Sequence, residues 1–420
     1  MAKTKAELIS YLLDTNNFKA TDTELKDTIQ RLAINPTYPI ILVGGTNGKG
    51  STCAYLTTIL TNSGYNVGTF TSPHIFDYNE RITINNKPID DQNLCDVLAK
   101  IIANSSVNLG LFKSFLLAAH LLFIQKKIDV AIVEVGVGGG HDATNLFEPD
   151  LSIISSVALD HCEILGNNID EIGLEKAKIF RTNRPAIVGM ENPPQPIMDY
   201  AQQINAQLSV HGRDFSFIRH QYGWDFISNQ ANYYSLPYPS LRGDEQLYNA
   251  SLAIMALVKL QDKFPVNIAQ IKAGLLQTNL LGRFQVLPGT PQIILDTAHN
   301  PQAIEIMCNN MLKLPFAKRN FAIFAVAKDK DWQTIIKLSC GKFDYWYLAW
   351  LNSERSVNPD LIAQELTANG ITTDKIIINN KIENAFSQCY QKLTNEDRIV
   401  AFGSFLLVEE VSYAIQKVRK

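Results

Sequence analysis

The stretch Ile40-Ile-Leu-Val-Gly-Gly-Thr-Asn-Gly-Lys-Gly-Ser51 governs how the rest of the chain is read. Ile40, Ile41, Leu42 and Val43 are apolar and mostly β-branched, which predicts a buried strand. Gly44, Gly45, Gly48 and Gly50 then let the backbone turn tightly and bring its N–H groups close to an anion. Residues 51–60 open a helix whose N-terminus, the positive end of its dipole, points at the same spot. Lys49 supplies a charge for β- and γ-phosphates, and Ser51 a hydroxyl for phosphate or Mg²⁺. The match to G-x-x-x-x-G-K-[ST] is incomplete. Val43 stands where the first glycine would fall, and Gly50 separates Lys49 from Ser51. A glycine-rich turn can be simple chain reversal, but glycines, Lys and Ser together favour an ATP-binding loop of unusual subtype.

Composition bounds what such a loop serves. A chain of 420 residues favours two or three domains, and 46% hydrophobic content is ample for their cores. The net charge of −3 excludes nucleic acid or an anionic membrane as the main partner. The N-terminal Met-Ala-Lys-Thr-Lys-Ala-Glu-Leu lacks the apolar core of a signal peptide. The longest apolar run, residues 115–124, contains His120 and is too short to span a bilayer. Six cysteines with no C-x-x-C spacing predict reduced thiols, not a disulfide framework or zinc site. The expectation is a soluble cytoplasmic protein.

Working outward from the loop, residues 5–33 carry apolar positions at helical spacing. Strands are expected at 67–70, 130–135, 151–155 and 185–188, with helices at 91–104 and 113–125. That alternation implies a mostly parallel sheet covered by helices on both faces. Residues 209–241 are aromatic, alternating and turn-rich, and predict a short β-hairpin region before a helix at 249–262. From Gly282 a second alternation begins, with strands at 293–295, 321–326, 345–349, 376–378 and 399–402. Helices are expected between them at 302–313, 332–339, 359–368 and 383–393. The fold class is therefore α/β with two domains. A P-loop-type, mostly parallel sheet flanked by helices occupies 1–281, and a smaller Rossmann-like α/β domain occupies 282–420.

In open α/β sheets ligands bind beyond the carboxyl ends of the strands, and several polar residues fall there. Ser72 follows the strand at 67–70, Glu134 ends the strand at 130–135, and Asp160-His161 follow the strand at 151–155. Glu134 could be a satisfied core carboxylate, but an acid in an apolar strand is costly unless paired or metal-bound. An imidazole with carboxylates downstream of a nucleotide loop suits a divalent metal. The segment Glu171-Ile-Gly-Leu-Glu-Lys-Ala-Lys-Ile-Phe180 reads on composition alone as an amphipathic surface helix. In Asp296-Thr-Ala-His-Asn300, helix capping explains Asn300 and Pro301 but not Asp296 or His299.

Taken in order, these segments resemble the folylpolyglutamate synthase/dihydrofolate synthase family within the Mur-type amide ligases. The resemblance is carried by Gly45-Thr-Asn-Gly-Lys-Gly-Ser51, Thr71-Ser-Pro-His74 with Glu80-Arg81, and Glu134-Val-Gly-Val-Gly-Gly. It continues through Asp142-Ala-Thr-Asn145, Leu159-Asp-His161, Glu175-Lys-Ala, Gly282-Arg-Phe284, Asp296-Thr-Ala-His-Asn300 and Gly403-Ser-Phe405. It implies that Thr46, Asn47, Gly48, Lys49, Gly50 and Ser51 cradle the phosphates of ATP. It also implies two Mg²⁺ ions held by Ser72, Glu134, His161 and a carbamylated Lys176. Asn249 resembles the adenine contact, while Arg283 and Asp296 reach the nucleotide from the second domain across a closing cleft. Phe112, Asp142 and Ala143 match positions that hold the pterin. The pattern is broken at that pocket: Lys113 replaces an expected Glu, and Gly140-His141 replaces Arg-Leu. An Ile-Asp-Leu segment expected near the N-terminus has Thr21-Asp-Thr23 as its nearest counterpart.

The implied activity is an ATP-dependent ligase, a monomer with small-molecule substrates. It would add L-glutamate to dihydropteroate and further γ-linked glutamates to reduced folates through an acyl phosphate. Lys49 and Arg283 would offset developing charge, and His299 would help position the reacting groups. Two alternatives remain at this level: a monofunctional folylpolyglutamate synthase or another Mur-type ligase, and, from another class, a P-loop kinase or ATPase switch. The latter lacks the Gly-Lys-Ser/Thr junction and leaves 296–300 unexplained.

Overall fold

A computed structural model describes residues 4–14 and 20–418. It divides into two units: Met1–Val157, Leu165–Ser240 and Leu247–Thr278 form one, and Ala158–Ile164, Leu241–Gln246 and Asn279–Lys420 the other. The chain therefore enters the second unit twice in short visits before its last long stretch.

The first unit is built on strands β1 (Ile40–Gly44), β2 (Val67–Phe70), β3 (Ile82–Ile84), β4 (Lys87–Pro88), β5 (Val130–Glu134), β6 (Leu151–Ile154), β7 (Pro185–Val188) and β8 (Gln207–Val210). They pair in the order β4-β3-β2-β5-β1-β6-β7-β8. All pairings from β2 to β8 are parallel, while β3 and β4 add antiparallel strands at one edge. The central strands are buried along their whole length, as near-continuous apolar runs require when helices cover both faces. β1 sits between β5 and β6, with Val43 opposite both Glu134 and Ile153. That register brings the loop after β1, Glu134 and the segment after β6 to one end of the sheet.

The helix Gly110–Gln125 is mostly apolar around its circumference and is accordingly sunk in the core through Phe115, Leu117, Ala118 and Phe123. At the N-terminus, the continuous helical pattern over 5–33 resolves into Lys5–Leu13 and Asp22–Arg31. Each opens on a capping box, Thr4 with Glu7 and Thr21 with Glu24, and Asp14 is already extended. Residues 15–19 lie outside the described residues.

The expected hairpin at 209–241 is corrected in two ways. Ser209 belongs to β8, which the preceding helix Gln195–Gln203 returns parallel to β7 as a crossover. The rest is a three-stranded antiparallel sheet of β9 (Phe215–Arg219), β10 (Trp224–Ser228) and β11 (Tyr233–Leu236). The surface-helix reading of 171–180 is also corrected. The helix Ile169–Ala177 buries Ile172, Glu175, Lys176 and Ala177. Gly173 lies against Pro194 and Ile197, and Gly139 leaves no room for a Cβ beside the Glu175 carbonyl.

The second unit contains β12 (Gln285–Leu287), β13 (Gln292–Asp296), β14 (Asn320–Phe324), β15 (Tyr345–Ala349), β16 (Ile376–Asn379) and β17 (Arg398–Phe402), in the order β12-β13-β17-β14-β15-β16. Only β12 is antiparallel to its neighbour. Its core is aromatic: Trp346, Phe324, Phe343 and Phe402 pack ring against ring at 5.0–6.1 Å. Asn300 caps the helix Pro301–Leu312 through Ala303 N–H, with Pro301 at its first position. Among the described residues no helix is long and apolar enough to cross a membrane. All six cysteines are free thiols.

Candidate active site

The loop after β1 is fixed before any ligand reaches it. Ser156 O accepts from Thr46 N–H at 2.8 Å, and Ser156 Oγ accepts from Asn47 N–H at 2.9 Å. Ser155 and Ser156 hydroxyls both donate to Asn47 O, at 2.7 and 3.0 Å. Gly45 (φ +136°) passes so close that a Cβ would stand 2.0 Å from Ser155 Oγ. Gly48 (φ +90°) begins the helix Lys49–Asn62, with no side chain capping its first turn. Its amides and dipole therefore face the loop, the geometry that receives phosphate. A Cβ on Gly48 would lie 2.3 Å from Asn249 Oδ1, so Asn249 of the helix Glu245–Lys259 touches the loop directly.

Two ammonium groups meet at one carbonyl of this loop. Lys49 Nζ donates to Gly45 O at 3.1 Å and Thr46 O at 3.2 Å. Lys176 Nζ, on a residue only 3% exposed, donates to the same Gly45 O at 3.2 Å. Gly50 and Ser51 continue in the first helical turn, and Ser51 is buried. At the end of the neighbouring strand Glu134 is buried, and its Oε2 accepts from Ser72 N–H at 3.1 Å. Among the described residues no three His, Cys, Asp or Glu side chains converge into a ready-made metal cage. The donor set at hand is one carboxylate, a serine residue and a lysine beside the glycine-rich loop.

A little further out, Asp142 accepts from Thr144 N–H, Thr144 Oγ and Val137 N–H at 2.9, 2.6 and 3.0 Å. Burial pushes its carboxyl above the usual range against those bonds. Ala143 follows it in a buried 3₁₀ turn. Phe112 packs edge-on to Phe70 at 5.6 Å and fills the space beside Gly136, where a Cβ would come within 2.7 Å of its ring. Lys113 Nζ reaches Ala20 O at 3.0 Å, and His141 Nδ1 sits 2.8 Å from Glu175 Oε1. Glu175 also holds Lys178 at 2.8 Å.

The remaining predicted residues belong to the second unit, including His161, although it follows β6 in sequence. Its backbone is left-handed (φ +52°), and its N–H donates to Asp160 Oδ1 at 2.9 Å. Lys330 Nζ donates to the same Asp160 oxygen at 2.8 Å and lies 3.4 Å from His161 Nε2. Asn300 Nδ2 donates to Asp160 Oδ2 at 3.3 Å, with His299 Nε2 3.9 Å away. Burial alone would raise the Asp160 carboxyl, but Lys330, His299 and His161 together carry it down to about 2. His299 Nδ1–H donates to Thr297 O at 2.7 Å, and burial with Lys330 nearby lowers its imidazole to about 4, so it is neutral at pH 7. Arg283 donates to Thr297 Oγ and lies 5.0 Å over the Phe405 ring. Asp296 accepts from Ala298 N–H at 2.9 Å, and its depth in the fold pushes its carboxyl up to about 7.

Several of these partners escape sequence reasoning. Ser155-Ser156 is legible in hindsight as a polar pair at the end of a strand beside the loop strand. Lys330 is not: Lys328-Asp-Lys-Asp331 looks like an ordinary solvated turn.

Comparison with known proteins matches the pattern of the Mur ligase middle domain to residues 43–257 and of the Mur ligase glutamate ligase domain to residues 282–405. A dihydrofolate synthase/folylpolyglutamate synthase of Escherichia coli is 33% identical over 387 residues, covering 92% of this chain and 89% of its own. Among solved structures, E. coli FolC in complex with DHPP and ADP superposes with a TM-score of 0.92 at 31% identity, covering 100% of this chain and 99% of that one. The bifunctional folylpolyglutamate synthase/dihydrofolate synthase of Yersinia pestis, complexed with AMPPNP and Mn, gives a TM-score of 0.90 at 32% identity, over 99% and 98% of the two chains.

Proposed function

Since this chain belongs to the dihydrofolate synthase/folylpolyglutamate synthase family of Mur-type ligases, we propose how its residues divide the work of joining L-glutamate to a folate acid. The enzyme is an ATP-dependent ligase that adds glutamate to dihydropteroate and further γ-linked glutamates to reduced folates. A carboxylate is a poor acyl donor. It attacks the γ-phosphorus of ATP, ADP leaves, and the resulting acyl phosphate is attacked by the amine of glutamate. The tetrahedral intermediate expels phosphate, and the amine loses its proton.

The observation that carries the assignment of roles is the convergence of Lys49 and Lys176 on Gly45 O, at the strand end that also holds Ser72 and Glu134. Residues Thr46 to Ser51 bind the phosphates, with Lys49 leaving its loop carbonyls for the β/γ oxygens. Asn249 meets the adenine. Arg283 and Asp296 serve the nucleotide, a role resting on the family pattern. Neutral His299, its Nδ1–H committed to Thr297 O, can accept a hydrogen bond at Nε2 in orienting glutamate. Phe112, Asp142 and Ala143 receive the pterin. Exclusion of water protects the acyl phosphate from hydrolysis.

The sparse donor set suits Mg²⁺, which keeps waters and phosphate oxygens and takes few protein carboxylates. Ser72, Glu134, His161 and a carbamate on Lys176 would hold two such ions, which when bound neutralise charge on the transferring phosphoryl group. The Lys176 carbamate forms from the neutral amine and CO₂ with loss of a proton, converting an ammonium into a carboxylate-like ligand. We further assign the enzyme to the cytoplasm, on its free cysteines, and take it to act as a monomer.

Phosphate release tests the reaction. Turnover is expected only when ATP, L-glutamate and either dihydropteroate or tetrahydrofolate are all present, and product analysis with each folate separates the two activities. ATP consumption that ignores the folate or glutamate overturns the ligase reading. For the carbamate, Lys176→Ala loses most activity and short carboxylates restore part of it. An unmodified Lys176 in mass spectra of active, metal-loaded enzyme would count against it.

A further inference from the structure

One buried cation in the first unit is not used by this account. Arg81 is 8% exposed, yet the only hydrogen bond its guanidinium makes among the described residues is from Nε to His74 Nδ1, at 2.9 Å. Its carbon stands 5.8 Å over the ring of Phe115, and no carboxylate lies within ion-pair distance of it among the described residues. Desolvation of such a charge is costly, so a guanidinium kept in this state without a salt bridge calls for a reason. Burial lowers it to about 10, partly opposed by Tyr78 and Glu134, so it is still charged at neutral pH. Since an arginine N–H can only donate, His74 offers Nδ1 as the acceptor, and its ring is braced by Tyr78 at 4.2 Å between ring centres. The bond to Nε fixes the plane of the fork and leaves both terminal nitrogens for another acceptor.

Its place in the fold says what that acceptor is. β3 pairs with β2 so that Phe70 faces Ile82, and Arg81 O accepts from Thr71 N–H at 3.0 Å. Arg81 therefore flanks the same strand end as Ser72, whose N–H is bonded to Glu134. Phe115, beneath the guanidinium, is one helical turn beyond Phe112 on the same face, and Phe112 lines Gly136. The fork thus lies between the aromatic end assigned to the pterin and the strand ends assigned to phosphoryl transfer.

We propose that Arg81 binds the substrate carboxylate that is to be activated, the 4-aminobenzoyl carboxylate of dihydropteroate, holding it through both terminal nitrogens. This deepens the ligase reading and rests on it. A planar fork orients the carboxylate for attack and rejects a neutral group in its place.

The test is equilibrium binding of dihydropteroate and of its neutral carboxamide, without ATP, to full-length wild type, Arg81→Gln and Arg81→Lys. Wild type should prefer the carboxylate by about tenfold or more, the range of a charge-assisted hydrogen bond. Arg81→Gln should lose that preference while binding the carboxamide as wild type does, and Arg81→Lys should regain part of it. A preference retained in Arg81→Gln, or absent from wild type, overturns the assignment, as does loss of both ligands in both variants, which marks a structural role. Failure of wild type to bind either compound defeats the folate reading itself and is thereby told apart.

Discussion

Gly48 shows how much a single hydrogen can decide. Its positive φ and its approach to Asn249 both exclude a side chain. Gly48→Ala should cost about 1–2 kcal/mol of stability, the penalty of left-handed backbone for an L-residue. It should also raise the KM for ATP by about tenfold or more, because the loop and Asn249 must separate. Thermal unfolding and ATP titration read the two effects. Asp296 makes a second case. Its folded carboxyl titrates at about 7, above the ordinary 3.8, so the unfolded chain ionises more readily. Stability tied to this group is full below about pH 4 and is lost as pH rises through 7. Asp296→Asn should flatten that segment of the curve, by about 2–4 kcal/mol between pH 4 and pH 8 in denaturant melts. Identical slopes for the two proteins would show that Asp296 is not raised. The loop, Glu134 and Asp296 were all legible as residues out of keeping with their apolar strands. Lys330 was not, because a lysine in a turn looks solvated until the fold buries it, and Arg81 was legible only as part of a motif, without a role of its own.

Among the elements, those whose boundaries coincide with their sequence signals read cleanly. Examples are β2, β7 and β15, and the helices Asp91–Asn104, Trp332–Ser339 and Pro359–Ala368. The helix Ile268–Gln277, which the sequence reading does not anticipate, opens on an Asn267–Gln270 capping box. Short β3 and β4 offer too few residues for periodicity to speak. The helix bearing Lys176 misleads for a different reason. Its alternating charges look like a solvated face, and only the close approach of Gly139 and Gly140 reveals that the face is covered. The segment carrying Asp160 and His161 is held by a buried ion pair to Lys330, with side chains 10% and 9% exposed. Lys330→Met should destabilise by about 3–5 kcal/mol by leaving that carboxylate unpaired, and adding Asp160→Asn should recover much of it. The sign of the pH response follows from the depressed carboxyl: its stabilisation holds above about pH 4 and disappears as pH falls towards 2. In Lys330→Met, where burial raises the unpaired carboxyl instead, that acid-side loss should vanish and stability should hold or rise as pH falls.

For the molecule as a whole, no linear boundary expresses what the two units share. Ala158–Ile164 and Leu241–Gln246 lie far upstream of residue 279 but pack with the second unit. There Asp160 meets Lys330, and Glu245 accepts from Asn310 Nδ2 at 3.0 Å. A fragment of residues 282–420 should therefore be markedly less stable than the same unit within the full chain, with protease resistance as the measure. Each unit has its own core, so calorimetry of the full chain should show two transitions. A single sharp transition would contradict that. Alternating strands and helices announce the two large, mostly parallel sheets in the sequence, while the two short visits leave no mark in composition.

The outer margin of the larger sheet has a bearing on life at high concentration. It closes with β4, a pair of residues, Lys87 and Pro88, both exposed. A proline offers no N–H and a lysine repels its own kind, so a neighbouring molecule finds little there to extend by hydrogen bonding. That margin gives a second copy of the chain a poor edge to add to, so growth of the sheet from this side is blunted.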